Sequence, residues 1–411
     1  MTQKEALDIL KTGRNVFLTG AAGSGKTHVL REYIAYLKKL NADFGVTAST
    51  GIAATHMGGI TIHSWSGIGI RDSLSHSEAL EIAEKSHIRK KVRDAQVLII
   101  DEISMLHHFR LDLVDQIIRA VKSVDQPFGG IQVVFCGDFF QLPPVHRSGE
   151  REARFAYHAD IWRNLDLKIC YLEEQHRQND NLFLKILNDI RNNQVTAETR
   201  EILKTRFDQS TNLSPTRLYS HNRDVDSENQ TELKKIDNKN HVYEMHSRGT
   251  PSLVELLKKS CLAPEKLELK VGAKVMFVKN NFDESYVNGT LGTVEHCGYE
   301  EIRVKTLNDQ RINVERASWV IEEDGKIKAE INQYPLRLAW AITVHKSQGM
   351  SLDAAQIDLS HSFEKGMGYV ALSRVRSLSG LFLKGFNEKA LEVDEEVIDF
   401  DQKFKKLSAT L

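Results

Sequence analysis

The chain has 411 residues, 41% of them hydrophobic and 27% charged, with a formal net charge of −1. That length exceeds one ordinary domain, and the composition is globular, which excludes a fibrous or wholly disordered chain. No apolar stretch approaches the ~18 residues of a membrane span, Met1-Thr2-Gln3-Lys4-Glu5 does not open a signal peptide, and a near-zero charge leaves any nucleic-acid surface as a local groove.

The first predicted strand, Asn15–Leu18, runs into Gly20-Ala21-Ala22-Gly23-Ser24-Gly25-Lys26-Thr27, a phosphate-binding loop in the strand-then-helix setting that its chemistry needs. The glycines let backbone N–H groups turn inward around phosphates. Lys26 reaches the β and γ phosphates, and Thr27 offers its hydroxyl to Mg²⁺. A helix expected over His28–Leu40 aims its positive dipole end at the same anion. The chain is therefore expected to bind a nucleoside triphosphate.

Further strands are expected at Phe44–Ala48, Val97–Ile100 and Ile131–Cys136, alternating with helices as in a covered parallel sheet, with functional residues at the carboxyl ends. Between the second and third of these strands, Arg71–Ala95 is rich in Ser, Glu, Lys and His. The spacing of Leu80, Ile82, Ala83 and Ile88 predicts a small helical insertion; a solvated excursion is the alternative. Val97–Ile100 ends in Asp101-Glu102. In a phosphate-loop protein the first carboxylate holds Mg²⁺ and the second polarises an attacking water, which favours hydrolysis over kinase chemistry. Ile131–Cys136 runs into Gly137-Asp138-Phe139-Phe140-Gln141-Leu142-Pro143-Pro144. Gln141, able both to donate and to accept hydrogen bonds, stands where a γ-phosphate sensor belongs, and the prolines stiffen the segment beyond it.

A second α/β pattern is expected from about Leu167, with a strand at Lys168–Leu172, a helix near Leu182–Asn192 and a strand at Thr216–Ser220. Residues 267–332 read as a small all-β module with tight turns at Asn288-Gly289, Asn308-Asp309 and Asp324-Gly325. The strand–helix pattern resumes at Leu336, so the module interrupts the second domain. Residues 391–411 form a tail with no evident site. The four cysteines, Cys136, Cys170, Cys261 and Cys297, are too dispersed for a zinc site or a disulfide framework, as suits a reducing cytoplasm, and Cys136 reads as a small core residue. Arg177 and Arg374, in a second domain without a phosphate loop of its own, are candidates to press charge onto the nucleotide of the first; a lone arginine is otherwise a surface residue.

Taken together, Gly20–Thr27, Thr47–Ala54, Gly58–Gly69, Leu98–Met105, Phe128–Val145, Arg177, Val344–Leu352 and Tyr369–Val375 resemble the ordered motifs of superfamily 1 helicases. The stretch Pro127–Val145 with Thr61-Ile62-His63-Ser64 resembles the Pif-type DNA helicases of superfamily 1B, over nearly the whole chain. The resemblance implies an α/β fold of two RecA-like (P-loop NTPase) parallel-sheet domains, with a helical wedge insertion and an inserted small β-barrel. Domain 1A would span 1–165 with the wedge 1B at about 66–95. Domain 2A would span 166–266 and 333–390, and the barrel 2B 267–332.

The resemblance also implies ATP and Mg²⁺ as cofactors, 5′→3′ movement on single-stranded DNA, and unwinding of duplex, forked or G-quadruplex DNA. It brings an association with DNA repair, recombination and telomere maintenance. The expected protein is a cytoplasmic, nucleoid-associated monomer. Residue by residue, Lys26, Glu102, Gln141, Arg177 and Arg374 match catalytic positions. Gln3, Gly20, Gly23, Ser24, Gly25, Lys26, Thr27 and His28 match the ATP-binding ones, with Thr27 and Asp101 on the metal. Gln3 matches the adenine-reading glutamine, and its nearness to Met1 predicts a frayed site with essentially no preceding extension. Thr50, Gly51, His63, Pro143, Asn222, His345, Lys346 and Ser347 match segments that meet DNA. The residues agree, since Thr47–Thr55 and Thr343–Ser351 are dense in hydroxyls and glycine that bind phosphate without reading sequence, though ordinary loops share that composition. His107-His108 depart from the family's signature helix at Leu106–Lys122. Two other readings are a RecD-like motor subunit of a nuclease complex, and an ATP-gated nucleic-acid clamp that does not unwind.

Overall fold

The computed structural model describes residues 1–411 except 70, 145–151, 175–179, 210–214, 220–224, 282–283, 285, 308, 324–325, 345–346 and 349. The chain forms two compact units, Met1–His176 with Glu395–Leu411, and Arg177–Asp394.

The first unit is built on the strands β1 (Val16–Gly20), β2 (Phe44–Ala48), β3 (Ile60–Thr61), β4 (Val97–Asp101), β5 (Gln132–Cys136) and β6 (Lys168–Leu172), in the order β3-β2-β4-β5-β1-β6. Every pairing is parallel. Strand β1 is buried along its whole length, as a central parallel strand covered on both faces must be. The helices are α1 (Gln3–Leu10), α2 (Lys26–Lys39), α3 (Gly51–His56), α4 (Ile62–Ser66), α5 (His76–Glu84), α6 (Ser86–Asp94), α7 (His108–Lys122) and α8 (Asp160–Asn164). Leu18, Val134, Cys136 and Cys170 from the sheet share one core cluster with Leu10 of α1 and Val29, Leu30 and Tyr33 of α2.

Two expectations need correcting here. Lys168–Leu172 does not open the second α/β pattern: it is the edge strand of the first sheet, in register with β1 from Val16↔Lys168 to Gly20↔Leu172. Its β-branched and apolar run announces a strand but not a partner, because parallel pairing is set by contacts distant in sequence. The insertion holds two helices, started by a capping box at Ser75 with Glu78. Ile82, Ala83, Ile88 and Val92 are buried, but Leu80 is 43% exposed and lies off the packed stripe.

The second unit contains β7 (Thr216–Tyr219), β8 (His241–Glu244), β9 (His246–Gly249), β10 (Lys266–Leu269), β11 (Lys274–Phe277), β12 (Leu291–Cys297), β13 (Ile302–Thr306), β14 (Arg311–Val314), β15 (Ala317–Glu323), β16 (Lys326–Gln333), β17 (Leu336–Leu338), β18 (Ala341–Thr343), β19 (Ala355–Leu359) and β20 (Leu381–Phe386). Its helices are α9 (Asn181–Arg191), α10 (Ala197–Lys204), α11 (Val225–Lys234), α12 (Pro251–Ser260) and α13 (Met367–Leu372). A parallel sheet runs β18-β7-β19-β20. The antiparallel part has a five-stranded sheet, β14-β13-β12-β11-β17, beside β15-β16-β9 and β10-β8. It is wider than residues 267–332: β8 and β9 join from before it, and Leu336–Leu338 pairs with β11 rather than resuming the parallel pattern. Parallel pairing returns only at Ala341. Of the predicted turns, Asn308 and Asp324-Gly325 lie outside the described residues, and Gly289 turns at φ 93°.

The C-terminal stretch read as a tail contains α14 (Glu395–Ser408), which belongs to the first unit. Tyr171 Oη of β6 donates to Asp401 Oδ1 at 2.9 Å, and Tyr171 N–H to Ser408 Oγ at 3.1 Å. Among the described residues no helix is long and apolar enough to cross a membrane.

Candidate active site

Strand β1 delivers the chain into the phosphate loop at a position only glycine fits. Gly20 has φ 147°, and a Cβ there would lie 2.6 Å from Leu172 O and 2.8 Å from Ser24 Oγ. Gly23 and Gly25 come next at φ 91° and 88°, and Gly25 caps α2 through its backbone alone. Lys26, the first residue of α2, folds back so that Nζ donates to Gly20 O at 2.8 Å and Ala21 O at 3.1 Å. Thr27 and His28 lie in the same first turn, exposed. Ser24 is fully buried, and its Oγ has no hydrogen-bond partner among the described residues. It is an orphaned donor of the kind a phosphate oxygen satisfies. The loop residues therefore fit a nucleotide's phosphates.

Gln3 is not frayed. Thr2 and Glu5 close a capping box on α1, the Met1 ammonium donates to Tyr171 O at 2.9 Å, and Gln3 Nε2 donates to Ser24 O at 3.3 Å. The glutamine expected to read the base is thus tied to the loop itself.

Asp101 ends β4. Burial pushes its carboxyl above the ordinary carboxylate range; the Glu102 N–H, the Cys136 thiol and the charges of Lys26 and Arg31 pull the other way. The N–H of Glu102 reaches Asp101 Oδ1 at 2.9 Å. A hard divalent cation on this carboxylate would favour its ionised form, so the donor set suits Mg²⁺. Glu102 stands in the left-handed region at φ 52° and ψ 45°, where a non-glycine residue is uncommon and is held only by its surroundings. Gln141 lies beyond β5, buried, its N–H bonded to Asp138 O at 2.9 Å. These groups meet at the carboxyl ends of β1, β4 and β5, where a parallel sheet places its chemistry.

The candidate DNA segments in this unit come after β2 and β3. Thr50 accepts at Oγ1 from Ala53 N–H at 3.3 Å, and Gly51 opens α3. Pro143 is half-buried beyond Gln141. His63, on α4, is pushed down to about 4 by burial and then by the charges of Arg110 and His107, so it is neutral at pH 7. Its Nε2 is buried without a partner among the described residues. Arg110 of α7 pairs with Asp72 at 2.8 Å, pinning the start of the insertion to that helix.

In the second unit Ser347 is buried, its hydroxyl donating to Val344 O at 2.7 Å. Arg374 is not a surface residue. It is 1% exposed, with Nε donating to Val370 O at 3.0 Å and Nη2 to Ser373 Oγ at 2.9 Å. Arg177, Asn222, His345 and Lys346 lie outside the described residues.

Sequence reasoning missed two side chains. Cys136, read as core filling, is buried as expected, yet its thiol also hydrogen-bonds Asp101; burial and then the charge of Asp101 hold that thiol far above the ordinary range, so it stays a donor. Ser49 donates to Glu102 O at 2.7 Å. Its only sequence signal is its place directly before Thr50-Gly51.

A phosphate loop, a strand-end acid pair and a buried glutamine on a parallel sheet define a P-loop NTPase built for hydrolysis. Comparison with known proteins narrows the class. The PIF1-like helicase family model matches residues 2–201, and that of the DNA helicase Pif1 2B domain matches residues 252–296. An ATP-dependent DNA helicase Pif1 from Psychrobacter sp. (strain PRwf-1) is 44% identical, over 99% of this chain and 71% of the relative. A Bacteroides sp Pif1 in complex with ADP-AlF4 superposes with a TM-score of 0.85 at 33% identity, covering 98% of this chain and 96% of that one. Bacteroides Pif1 bound to ssDNA matches at TM-score 0.67 and 34% identity, with coverage of 98% and 96%. The chain belongs to the PIF1-like helicases: it is an ATP-dependent DNA helicase, an ATP-hydrolysing enzyme that uses Mg²⁺.

Proposed function

We propose that this helicase translocates 5′→3′ on single-stranded DNA and opens duplex, forked or G-quadruplex DNA ahead of it. The observation that carries the reading is the shared edge of the first sheet. There β1, β4 and β5 end in the phosphate loop, the acid pair and Gln141, while the neighbouring β2 ends in the hydroxyl-rich segment Ser49–Gly51. One sheet edge can then sense nucleotide and strand together.

In this proposal Lys26, Ser24 and the loop N–H groups hold the phosphates, and Gln3 orients the base. Thr27 and Asp101 would hold Mg²⁺, which when bound supplies a Lewis acid on phosphate oxygens. Glu102 takes the proton from the attacking water, and Gln141 reports the γ-phosphate. Arg177 and Arg374 are assigned to stabilise charge developing on the transferred phosphoryl group. Thr50, Gly51, His63, Pro143, Asn222, His345, Lys346 and Ser347 are assigned to the DNA backbone. The solved relative bound to ssDNA supports that assignment. We take the protein to act in the cytoplasm as a monomer; its four free cysteines suit a reducing compartment.

The test is strand displacement by the purified protein, at single-turnover, on duplexes carrying a 5′ or a 3′ single-stranded tail. Unwinding of the 5′-tailed substrate alone is expected. Preference for the 3′ tail would overturn the polarity, and DNA-stimulated hydrolysis without displacement would favour the clamp.

A further inference from the structure

Ser49 joins the candidate DNA loop to the strand-end acid pair with two hydrogen bonds, one to the main chain of each acid. It directly follows β2 and is 8% exposed. Its N–H donates to Asp101 O at 3.1 Å, carrying the β2–β4 ladder one step past Ala48↔Asp101. Its hydroxyl donates to Glu102 O at 2.7 Å. The next residue, Thr50, begins the turn into α3, its carbonyl accepting from Ala54 N–H at 3.0 Å and its hydroxyl from Ala53 N–H at 3.3 Å. No residue separates the end of this clamp from the pair Thr50-Gly51.

The acceptor is unusual. The carbonyl that Ser49 Oγ holds belongs to Glu102, whose backbone lies at φ 52° and ψ 45°. A non-glycine residue leaves that region readily unless neighbours hold it there. A hydroxyl on its carbonyl fixes the next peptide plane, and with it the direction of the Glu102 side chain. Such a restraint has leverage: a small displacement of Ser49 changes which conformers Glu102 can occupy. Leu98 to Ile100, by contrast, are locked into β4 between two strands and cannot follow a loop.

We propose that Ser49 is a positioning residue that couples strand engagement at Thr50-Gly51 to the orientation of Glu102, and so makes ATP turnover depend on bound DNA. This rests on the reading of Thr50 and Gly51 as DNA contacts. The coupling is local, needs no motion between the two units, and acts through main-chain atoms that substitutions of Glu102 itself would not reveal.

The experiment compares the parent with Ser49→Ala and Ser49→Thr in the full chain. It measures kcat without DNA, kcat at saturating oligothymidylate, the oligothymidylate Kd without nucleotide, and Tm. Ser49→Ala is expected to lower the ratio of stimulated to DNA-free kcat about tenfold, because stimulated turnover falls further than DNA-free turnover. The oligothymidylate Kd should be little changed. Ser49→Thr, which keeps the hydroxyl, should restore most of the ratio. An unchanged ratio in Ser49→Ala overturns the proposal, as do equal losses of both turnovers with a lowered Tm, or a weakened Kd that accounts for the loss. A parent whose turnover ignores oligothymidylate would instead sink the DNA-motor reading. A stimulated parent with an indifferent Ser49→Ala removes only the coupling.

Discussion

In the first unit the polar groups of the candidate site lie at or just beyond the carboxyl ends of parallel strands, while in the antiparallel part of the second unit Lys274, which opens β11, is buried on the face of a sheet. Ser24, Asp101 and Gln141 come after or end β1, β4 and β5, each beside backbone donors or acceptors. Lys274 sits inside the second unit on β11, 6% exposed, its Nζ without a hydrogen-bond partner among the described residues. Its strand neighbours Val275 and Phe277 face the core cluster of the five-stranded sheet, so Lys274 lies on the opposite face. On that face Arg337 is half-buried, with Asp226 3.6 Å away. Where a sheet's register gathers polar atoms at one edge, their burial builds a site. A charge buried on the face of a sheet is instead a cost that the surrounding packing must offset.

The sharpest way to break this comparison is Arg374, which is buried in the second unit yet assigned to the phosphoryl group. Catalytic arginines are worth about 10³–10⁵ in rate. Arg374→Ala should lower kcat by orders of magnitude with nucleotide affinity little changed and Tm nearly kept. A large fall in Tm with kcat per folded molecule preserved would make it a structural arginine, like Arg191, which is buried against Tyr369 at 3.1 Å.

A smaller effect separates two kinds of proposed DNA contact in the first unit. One is the basic end of the insertion, where Arg89 and Lys90 are exposed on α6 and are proposed to hold a DNA strand. The other is His63, assigned to the backbone but neutral. Replacing both Arg89 and Lys90 by glutamate should reduce the log–log salt slope of single-strand binding by about 0.7 for each phosphate no longer neutralised. Strand separation should fall and DNA-stimulated ATPase should survive. His63→Ala should weaken binding with the slope unchanged, because a neutral imidazole releases no counterion. Equal slopes for the parent and the Arg89/Lys90 double variant would show that neither of those two residues neutralises a phosphate.

The smallest effect concerns Lys274. Burial, then the charge of Arg217, pushes its ammonium down to about 7 from an ordinary 10.5. The unfolded chain then binds more protons between those values, so the penalty is complete below pH 7 and is relieved as pH rises toward 10.5. Lys274→Met should stabilise the second unit by a few kcal/mol at pH 6.5, a gain that shrinks toward pH 10. Melting curves at the two pH values check this, and a destabilised variant at both would mean the ammonium has a partner.

The same contrast explains what was legible in the sequence. The phosphate loop, Asp101-Glu102 and Gln141 were readable because each is a local pattern: a strand, a turn and a polar residue in fixed order. The partner of Lys168–Leu172 was not, since one β-rich run looks like another until register with β1 is set across the chain. Leu80 fits the helical spacing of its neighbours, yet packing orders only one stripe of α5. The strands His241–Glu244 and His246–Gly249 are polar and short, and acquire their identity from β10 and β16. The left-handed turn at Glu102, the hydroxyl of Ser49 that holds it and the thiol donor at Cys136 depend on backbone angles and on atoms from other strands. Arg374 was readable as an arginine near a motif but not as a buried one.

The central claim is that nucleotide chemistry and strand gripping occupy distinct residues of one sheet edge. It is tested most directly by Lys26→Ala, assayed in parallel for ATP hydrolysis at saturating oligothymidylate and for oligothymidylate affinity without nucleotide. Lys26 donates to the loop carbonyls of Gly20 and Ala21, while Thr50 and Gly51 belong to the turn into α3. Turnover should drop about 10²–10³-fold or more, as for loss of a charge-stabilising donor, with DNA affinity within a few-fold of the parent. Equal loss of both functions in a protein with the parent's Tm would contradict the account.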